Sequence, residues 1–552
     1  MIMLSKVKKI ILGTLSFVAM SLFTTGCTNW ITKDQPDVTR LEDYYTTASA
    51  AIHNVTACYV PLQWEFGETY FSEWFIGDIM SDDAVKGGGS LNDMSDAYDL
   101  ENWQTQIDNS LVRSFWKANF LGVSRCNLAL TYVSKMQTDT LFTPDLQKRL
   151  IGEIRFLRAY YYFRLVRTFG GVPLVDHIIS GDNEWNIPRA SAADVYAFIL
   201  DDLKYAAANL WLKSEYDASD MGRATRGAAQ AMLQKVNLYL ASEGNAANRE
   251  SGKSANDYYT AAIAWGDSVI LSGEYSLCPA YADNFTLEGE NGPESVFEIQ
   301  YVGNEDDDTG DYGRNDGEHY GSTRGTFTIV LTRSRSSVIN TMGDGWGFNH
   351  PSQNLYNEYE TGDIRRSVTI YCPKPSELTS PVEETYLGNS NLSRKYAVYN
   401  TVYNETDAQT CVTIYKLGHA TRGPLNNRQI RYADVLLMQA EAYLGKGDAG
   451  KATPYINDVR ARVGLSAIGT ADWKALRHER RCELAMEGHR WFDLCRWGIA
   501  CETMTAYEQT ETDDYKYQIS LGGGFKKGKH ELLPIPLKEI ELNPSMTQNP
   551  GY

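Results

Sequence analysis

The sequence predicts a mostly α-helical fold, in which tetratricopeptide-like helical hairpins form a scaffold and an irregular, loop-rich lobe contains a few short strands. Apolar residues recur at helical spacing through most of residues 41–275, and the same periodicity returns over 431–500. Between them, residues 276–430 are rich in Gly, Asn and Asp, which favour turns and loops. We therefore expect a single domain over residues 41–552, with two scaffold segments around one loop-rich lobe.

The first 26 residues have the pattern of a lipoprotein signal peptide. Lysines near the N-terminus precede an apolar stretch, Ile10 to Phe23, that is shorter than the ~20 residues of a membrane-spanning helix. Small residues then lead to Cys27, although Thr24 stands where an aliphatic residue is more usual. We expect cleavage before Cys27, lipidation of that cysteine and a polar tether over residues 27–40. An ordinary secretory signal with an incidental Cys27 is the alternative.

The charge of the chain excludes some partners. Its formal net charge is −18. Removal of the leader takes away three lysines and no acid, which leaves 49 basic and 70 acidic residues and a charge of −21. This balance argues against nucleic acid and against a basic membrane-docking face, so contact with a membrane is expected only through the lipid anchor. Eight cysteines follow Cys27 at scattered spacings, and we expect most of them to be free.

The helices are predicted from periodicity and from their end signals. The clearest begins after Thr143, an N-cap hydroxyl followed by Pro144, and ends before Gly170. A second pattern, at 431–445 and 453–463 with Pro454 at the first helical position, resembles a tetratricopeptide hairpin. Further helices are expected at 110–135, 191–212, 226–242 and 255–272.

The loop-rich region carries two strand patterns and many aromatic residues. Glu294 to Tyr301 and Cys411 to Lys416 alternate as strands do. Aromatic side chains between the glycines argue against simple disorder. Residues 304–308 (NEDDD) could donate oxygens to calcium but lack the spacing of an EF-hand, and no other metal or cofactor site is indicated. No HExxH, GxGxxG or GxSxG motif occurs, so no catalytic residues are predicted.

Three glutamates at helical spacing, Glu479, Glu483 and Glu487, place their carboxylates on one helix face. An acid/base pair is one interpretation, but arginines surround them in the sequence. Because buried charges need partners, we predict a structural ion network instead. Its members are predicted to be Arg155, Arg158, Glu479, Glu483, Glu487 and Arg490.

A turn-rich stretch from Asp78 to Gly89 combines acids, Lys86 and three glycines. Carboxylates accept hydrogen bonds from sugar hydroxyls and an ammonium donates to them, so this stretch could bind a carbohydrate. A structural loop whose acids cap a helix is an equal alternative. Downstream, Tyr98 and Trp103 could supply an aromatic face, although Trp103 could belong to the core.

Several segments together carry a resemblance to a known family. They are the leader ending at Cys27, Ser81-Asp82-Asp83-Ala84 with its glycines, Arg155 to Tyr160 with Phe169 to Leu174, Glu479 to Gly498 with its Glu-Gly-His-Arg, and the ending Leu533-Pro534-Ile535-Pro536 to Tyr552. In this order they span nearly the whole chain, which resembles the SusD/RagB-type nutrient-binding lipoproteins. Thr24 and Cys482 are mild departures from the pattern.

The resemblance implies four tetratricopeptide-like hairpins and a ligand site in the irregular lobe. It also implies a protein on the cell surface, anchored by lipid to the outer membrane, which captures an oligosaccharide and passes it to a SusC-like TonB-dependent transporter. The family has no shared catalytic residues. A peptide-binding protein on the same scaffold, a helical-repeat adaptor without a nutrient ligand and a secreted glycoside hydrolase are the alternatives; no motif locates the carboxylate pair that a hydrolase needs.

The ligand-binding residues are predicted from composition. Aromatic rings stack on pyranose faces, and amide, carboxylate and guanidinium groups bond to hydroxyls. We predict stacking by Tyr98, Tyr312, Tyr320 and Trp346, and hydrogen bonding by Asp82, Asn92 and Arg314.

Overall fold

The computed structural model describes residues 44–64, 73–90, 92–181, 184–302, 325–335, 345–372, 391–396, 423–511 and 524–552. Within these ranges the predicted mostly α-helical fold is confirmed. The helices are α1 Ala48–Tyr59, α2 Glu73–Ile79, α3 Ser95–Glu101, α4 Ser110–Val133, α5 Pro144–Phe169, α6 Ala192–Asn209, α7 Arg226–Ala241, α8 Ala255–Ile270, α9 Thr328–Thr332, α10 Gln353–Glu358, α11 Ile364–Thr369, α12 Tyr432–Gly445, α13 Ala449–Arg462, α14 Trp473–Leu484, α15 Arg490–Trp497, α16 Ala500–Glu511 and α17 Leu537–Leu542. The strands are β1 Ala84–Gly87, β2 Ser295–Ile299, β3 Phe348–Pro351, β4 Ile370–Tyr371, β5 Leu392–Ser393 and β6 Asn427–Arg431.

The long helices begin and end where their sequence signals place them. In α5, the Thr143 hydroxyl accepts the backbone N–H of Leu146 at 3.2 Å, and Pro144 occupies the first helical position, where its missing N–H is not needed. At the other end Gly170 has φ +73°, which suits glycine, and its N–H donates to Val166 O. These local signals fix the bounds of α5.

The scaffold is built from helices that pack against their neighbours in the chain. The pairs α4 and α5, α5 and α6, α7 and α8, and α12 and α13 are in contact, and α8 also packs against α12. One apolar core runs through all of them. Burial of this continuous face stabilises the helix pairs, since a single pair cannot cover its own apolar surface.

The second half of the last hairpin differs from the prediction in one detail. Helix α13 begins at Ala449, and the carboxylate of Asp448 caps it by accepting the N–H of Lys451 at 3.1 Å. Pro454 therefore lies inside the helix rather than at its first position. The Asp448 cap determines the start, and the helix tolerates one missing N–H at Pro454.

The described part of the loop-rich region contains only short elements, joined by antiparallel two-stranded ladders. β1 pairs with β3, β2 with β6, and β4 with β5. The strand predicted at 294–301 is β2, and its partner β6 leads directly into α12, so this ladder connects the loop-rich region to the scaffold. The strand pattern at 411–416 lies outside the described residues. The division into scaffold and lobe remains a prediction.

The described cysteines agree with the expectation from their spacing. All seven of them are free thiols, at positions 58, 126, 278, 372, 482, 495 and 501. Within the same ranges, no helix is both long and apolar enough to cross a bilayer.

Candidate ligand-binding site

The β1–β3 ladder joins the turn-rich stretch that begins at Asp78 to the region around Trp346. Val85 pairs with His350, and Gly87 pairs with Phe348. The N–H of Gly88 then donates to Gly347 O at 2.7 Å, which extends the contact to the residue beside Trp346. Two loops distant in sequence are thereby held side by side.

Glycine is required where these loops touch. Gly87 and Gly88 have φ of +78° and +86°, values that side chains disfavour. A Cβ at Gly87 would also lie 2.1 Å from the carbonyl oxygen of Gly347. The glycines predicted to belong to a turn therefore permit close approach of the two backbones.

The buried side chain of Lys86 binds the backbone of the loop that follows β1. Its side chain is buried beside the ring of Phe348, and its ammonium donates to the carbonyl of Ser90 at 3.0 Å and to that of Asp93. Burial lowers the pKa of Lys86 to about 8. The ammonium thus fixes the backbone at Ser90 and at Asp93 and does not face solvent.

Glu101, the last residue of α3, lies beside this lysine. Its carboxylate accepts the backbone N–H of Lys86 at 3.2 Å. Burial raises the pKa of Glu101 to about 7, with the Lys86 ammonium acting in the opposite direction. A carboxyl group that titrates near neutrality therefore lies directly under the loop.

Arg335 crosses the two loops on their outer side. Its guanidinium Nη1 lies 3.5 Å from Asp93 Oδ2, and both side chains are about 40% exposed. A Cβ on Gly89 would meet this guanidinium at 2.7 Å, so the absence of a side chain there makes room for it. The sequence pattern does not single out Arg335, because its polar, serine-rich neighbourhood resembles any solvated loop.

Trp346 is the exposed ring of this surface. It is 36% exposed, and its edge contacts Phe327, with ring centroids 5.0 Å apart at an interplanar angle of 87°. Its backbone N–H donates to Val330 O at 2.8 Å, which fixes the main chain below the ring. In the loop after β1, Asn92 is exposed, and in the helix α3 that follows it Tyr98 is half-buried. We name the surface of Gly87–Ser90, Asn92, Asp93, Tyr98, Arg335 and Trp346 the loop face.

The remaining predicted positions lie outside the described residues. They are Cys27, Tyr312, Arg314, Tyr320 and the possible calcium ligands at 304–308. Among the residues that are described, no cluster of His, Cys, Asp or Glu is suited to hold a metal ion.

Asp82 is placed differently from its prediction as a ligand-binding residue. Only 3% of it is exposed, and its carboxylate accepts both Arg490 Nε at 2.8 Å and Arg490 Nη2 at 2.9 Å. Arg481 adds a third contact at 3.0 Å. Because a buried carboxylate needs cationic partners, Asp82 is a structural member of the ion network and offers no free oxygen to a hydroxyl. Trp103, the alternative aromatic, is buried against Trp491.

The three glutamates on α14 and just beyond it form the predicted buried ion network. Glu479 pairs with Arg365 and Arg460, Glu483 with Arg365, Arg431 and Arg462, and Glu487 with Arg431 and Lys395. Burial alone would raise the pKa of Glu483, but the charges of its three arginines hold it below the ordinary value. Charges this well paired are structural and are not a free acid/base pair.

Three arginines of the predicted network do not pair with the three glutamates. Arg490 pairs with Asp82, whereas Arg155 and Arg158, both on α5, face α6. Arg158 donates to Asp202 at 2.8 Å and to Asn127 at 2.9 Å, and Arg155 lies 3.7 Å from the same aspartate. The prediction that they join the glutamates was wrong, because α5 presents them to α6. The actual partners lie on other elements: Arg365 on α11, Arg431 on β6, and Arg460 and Arg462 on α13. The spacing of the glutamates within their own helix could not identify them.

The fold and the loop face define a class of protein in which a helical scaffold supports surface loops that expose an aromatic side chain. Comparison with known proteins specifies it further. The sequence model described as "SusD family" matches residues 293–552, and one described as "Starch-binding associating with outer membrane" matches residues 39–238. The chain belongs to the SusD family, and the second description associates its matching region with the outer membrane.

Individual relatives agree with this assignment. A SusD-like protein of Bacteroides ovatus is 25% identical over 493 residues, which cover 86% of this chain and 81% of the relative. The solved structure of a laminarin-binding SusD-like protein has a TM-score of 0.74 and 28% identity, covering 92% of this chain and all of the other. Surface glycan-binding protein A of Bacteroides uniformis has a TM-score of 0.72 and 26% identity, covering 91% and 99%. The two solved structures are described as glycan-binding or laminarin-binding proteins.

Proposed function

We propose that this protein binds an oligosaccharide at the loop face without cleaving it. The observation that carries the proposal is the β1–β3 ladder. It joins the segment that carries Asn92 and, in α3, Tyr98 to the loop that carries Trp346. An exposed indole and an exposed amide on two joined segments offer the ring face and the hydrogen-bonding group that a sugar requires. The similarity to a laminarin-binding protein supports a glycan as the ligand.

Each group has a distinct role in this proposal. Trp346 and Tyr98 stack on pyranose faces, with about 0.5–1.5 kcal/mol for each ring contact. Asn92 and the Arg335 guanidinium bond to hydroxyls; Arg335 has its rigid donor fork already oriented by Asp93. Tyr312, Tyr320 and Arg314 are proposed to extend the surface. A few such contacts give weak, reversible binding, which suits release to another protein.

The proposed location and partner complete the function. Lipidation at Cys27 anchors the chain to the outer membrane, at the cell surface, where it delivers the oligosaccharide to a SusC-like TonB-dependent transporter. The family description of outer-membrane association supports the location. Co-purification of the transporter with the wild-type chain tests the partner. Loss of the Cys27→Ala variant from the membrane fraction tests the lipid anchor.

Calorimetry on the mature chain with laminarin, starch and other glucans tests the binding site. We expect Trp346→Ala to weaken binding of the preferred glycan by about tenfold, the loss of one ring contact and its neighbours. Trp185→Ala is the matched control, because Trp185 is 65% exposed but lies outside the loop face. Unchanged binding in the Trp346→Ala, Tyr320→Ala double variant would reject the site.

The same samples separate the alternatives. Release of reducing ends from the bound glycan would show a hydrolase. Binding of peptides in place of every glycan tested would make this a peptide-binding protein on the same scaffold. Loss of affinity on addition of a chelator would indicate calcium at residues 304–308.

A further inference from the structure

A cavity of about 620 Å³ lies away from the loop face, where α5 and α15 meet the segment at 527–532. Residues 243–248, which follow α7, form another wall. Its volume is in the range of cavities that hold small ligands.

The cavity has a basic edge in a protein that is otherwise acidic. Lys526, Lys527 and Lys529 occur within four positions of a chain whose net charge is −18, and Lys527 and Lys529 line the opening. Across the described ranges, neither Lys527 nor Lys529 forms an ion pair with a carboxylate. Partial burial and then the charge of Lys526 lower the pKa of Lys529, as expected where like charges are held close together.

A third cation reaches the cavity from the opposite wall. The guanidinium of Arg167 lies over the ring of Phe492, 3.9 Å from its centroid. Two acids also line the cavity. Glu531 accepts the backbone N–H of Gly528 at 2.8 Å, and Glu243 lies 3.6 Å from Arg249. Arg167, Lys527 and Lys529 outnumber these two carboxylates in the lining, so the cavity keeps a positive balance.

The remaining walls offer rings and amides. Trp497 is fixed by an indole N–H that donates to Glu441 Oε1 at 2.9 Å, and Tyr239 lies nearby in the lining. Asn248 and Asn245 are hydrogen-bonded to each other at 2.9 Å and present further amide groups at the cavity. Aromatic walls, amides and a basic edge together match a sugar that carries an acidic group.

We propose that this cavity is a second ligand site, which takes an acidic saccharide with its carboxylate at Lys527 and Lys529. The rings and amides contact the sugar, and the ammonium groups select the charge. The site is separate in position and chemistry from the loop face, so its ligand need not be the glycan bound there.

Calorimetry at low ionic strength tests this with trigalacturonate and with neutral galactotriose as probes. We expect trigalacturonate to bind, galactotriose to bind at least about tenfold more weakly, and added salt to weaken the acidic probe. Lys527→Met with Lys529→Met should lower trigalacturonate affinity about tenfold or more, and Lys527→Glu should abolish it. Lys538→Met is the matched control, an exposed lysine that lies outside the cavity lining.

Each other outcome overturns the proposal. If the double lysine variant binds trigalacturonate with wild-type affinity, the probe binds elsewhere. If Trp346→Ala loses trigalacturonate binding, the probe binds at the loop face. Equal binding of inorganic phosphate or sulfate would show an anion site without sugar recognition. Thermal unfolding of each variant checks that the fold is retained. No change is expected for Lys527→Glu because Lys527 is exposed, and a small loss is expected for the double variant because Lys529 lies over the ring of Tyr552, 4.4 Å from its centroid.

Discussion

Arg481 and Asp83, 398 positions apart in the chain, form a buried ion pair with Nε 2.7 Å from Oδ1. The pair joins α14 of the scaffold to the residue that precedes β1, and thus to one half of the loop face. The neighbouring Asp82 is held in the same way by Arg490. The acids predicted from the Ser81–Ala84 stretch therefore anchor the ligand loop to the scaffold.

Arg481→Met should be strongly destabilising, because it leaves two buried carboxylates, Asp82 and Asp83, short of a partner. Removing one member of a buried ion pair costs about 3–5 kcal/mol. We expect a loss of this size in the free energy of unfolding, measured by denaturant titration at neutral pH. Lys538→Met is the control: Lys538 is 3.2 Å from Glu541, both side chains are half-exposed, and such pairs contribute about 0–1 kcal/mol. Equal losses in both variants would contradict the anchoring role.

Glu483→Gln tests whether the glutamate network is structural. Glu483 accepts from Arg365, Arg431 and Arg462, so an amide at this position loses the charge that balances three guanidinium groups. We expect a lower melting temperature and a loss of about 3–5 kcal/mol in the free energy of unfolding. Glycan affinity of the folded variant should be unchanged.

The control for this prediction is Glu541→Gln, since Glu541 is half-exposed and pairs only with Lys538 in the described structure. A small change in stability is expected there. Loss of glycan binding in Glu483→Gln at a temperature where it is fully folded would assign the network to the ligand site.

Glu101 predicts a pH dependence of stability. Burial raises its folded-state pKa to about 7, above the ordinary value near 4.5. Between these two values the folded state binds more protons than the unfolded state, so stability falls as pH rises, by up to about 1.4 kcal/mol per unit. Above about pH 7 the effect of Glu101 is constant. Glu101→Gln should remove this contribution, which denaturant titrations between pH 5 and 8 will measure.

Asp78 makes a second contribution to the pH dependence of stability, in the same direction as that of Glu101, and the two contributions must be distinguished. Burial also raises its pKa to about 7. The variant Glu101→Gln should therefore reduce the slope of stability against pH without abolishing it. A slope identical to that of the wild type would show that Glu101 is ionised in the folded protein throughout this range.

The sequence predicts the long helices well because their determinants are local. Thr143, Pro144 and Gly170 define α5 through contacts within four residues. The ion network was predicted only in part. Helical spacing places Glu479, Glu483 and Glu487 on one face, but their arginine partners lie on other elements, α11, β6 and α13. The loop face depends on the same kind of pairing. Trp346 is visible as an aromatic residue among glycines, whereas Arg335 is defined only by its contact with Asp93.

Lys86→Met should release the ligand loop while the scaffold remains folded. The ammonium of Lys86 is the donor to the Ser90 and Asp93 carbonyls, so its loss leaves the backbone at Ser90 and at Asp93 less constrained. We expect faster amide hydrogen exchange there and weaker glycan binding, with α7 unchanged. Lys213→Met is a matched control, because Lys213 donates to two other carbonyls, of Gly292 at 2.6 Å and Ser295 at 3.0 Å. It should accelerate exchange near those residues and leave affinity intact; equal loss of affinity in both variants would show that general destabilisation, and not loop positioning, controls binding.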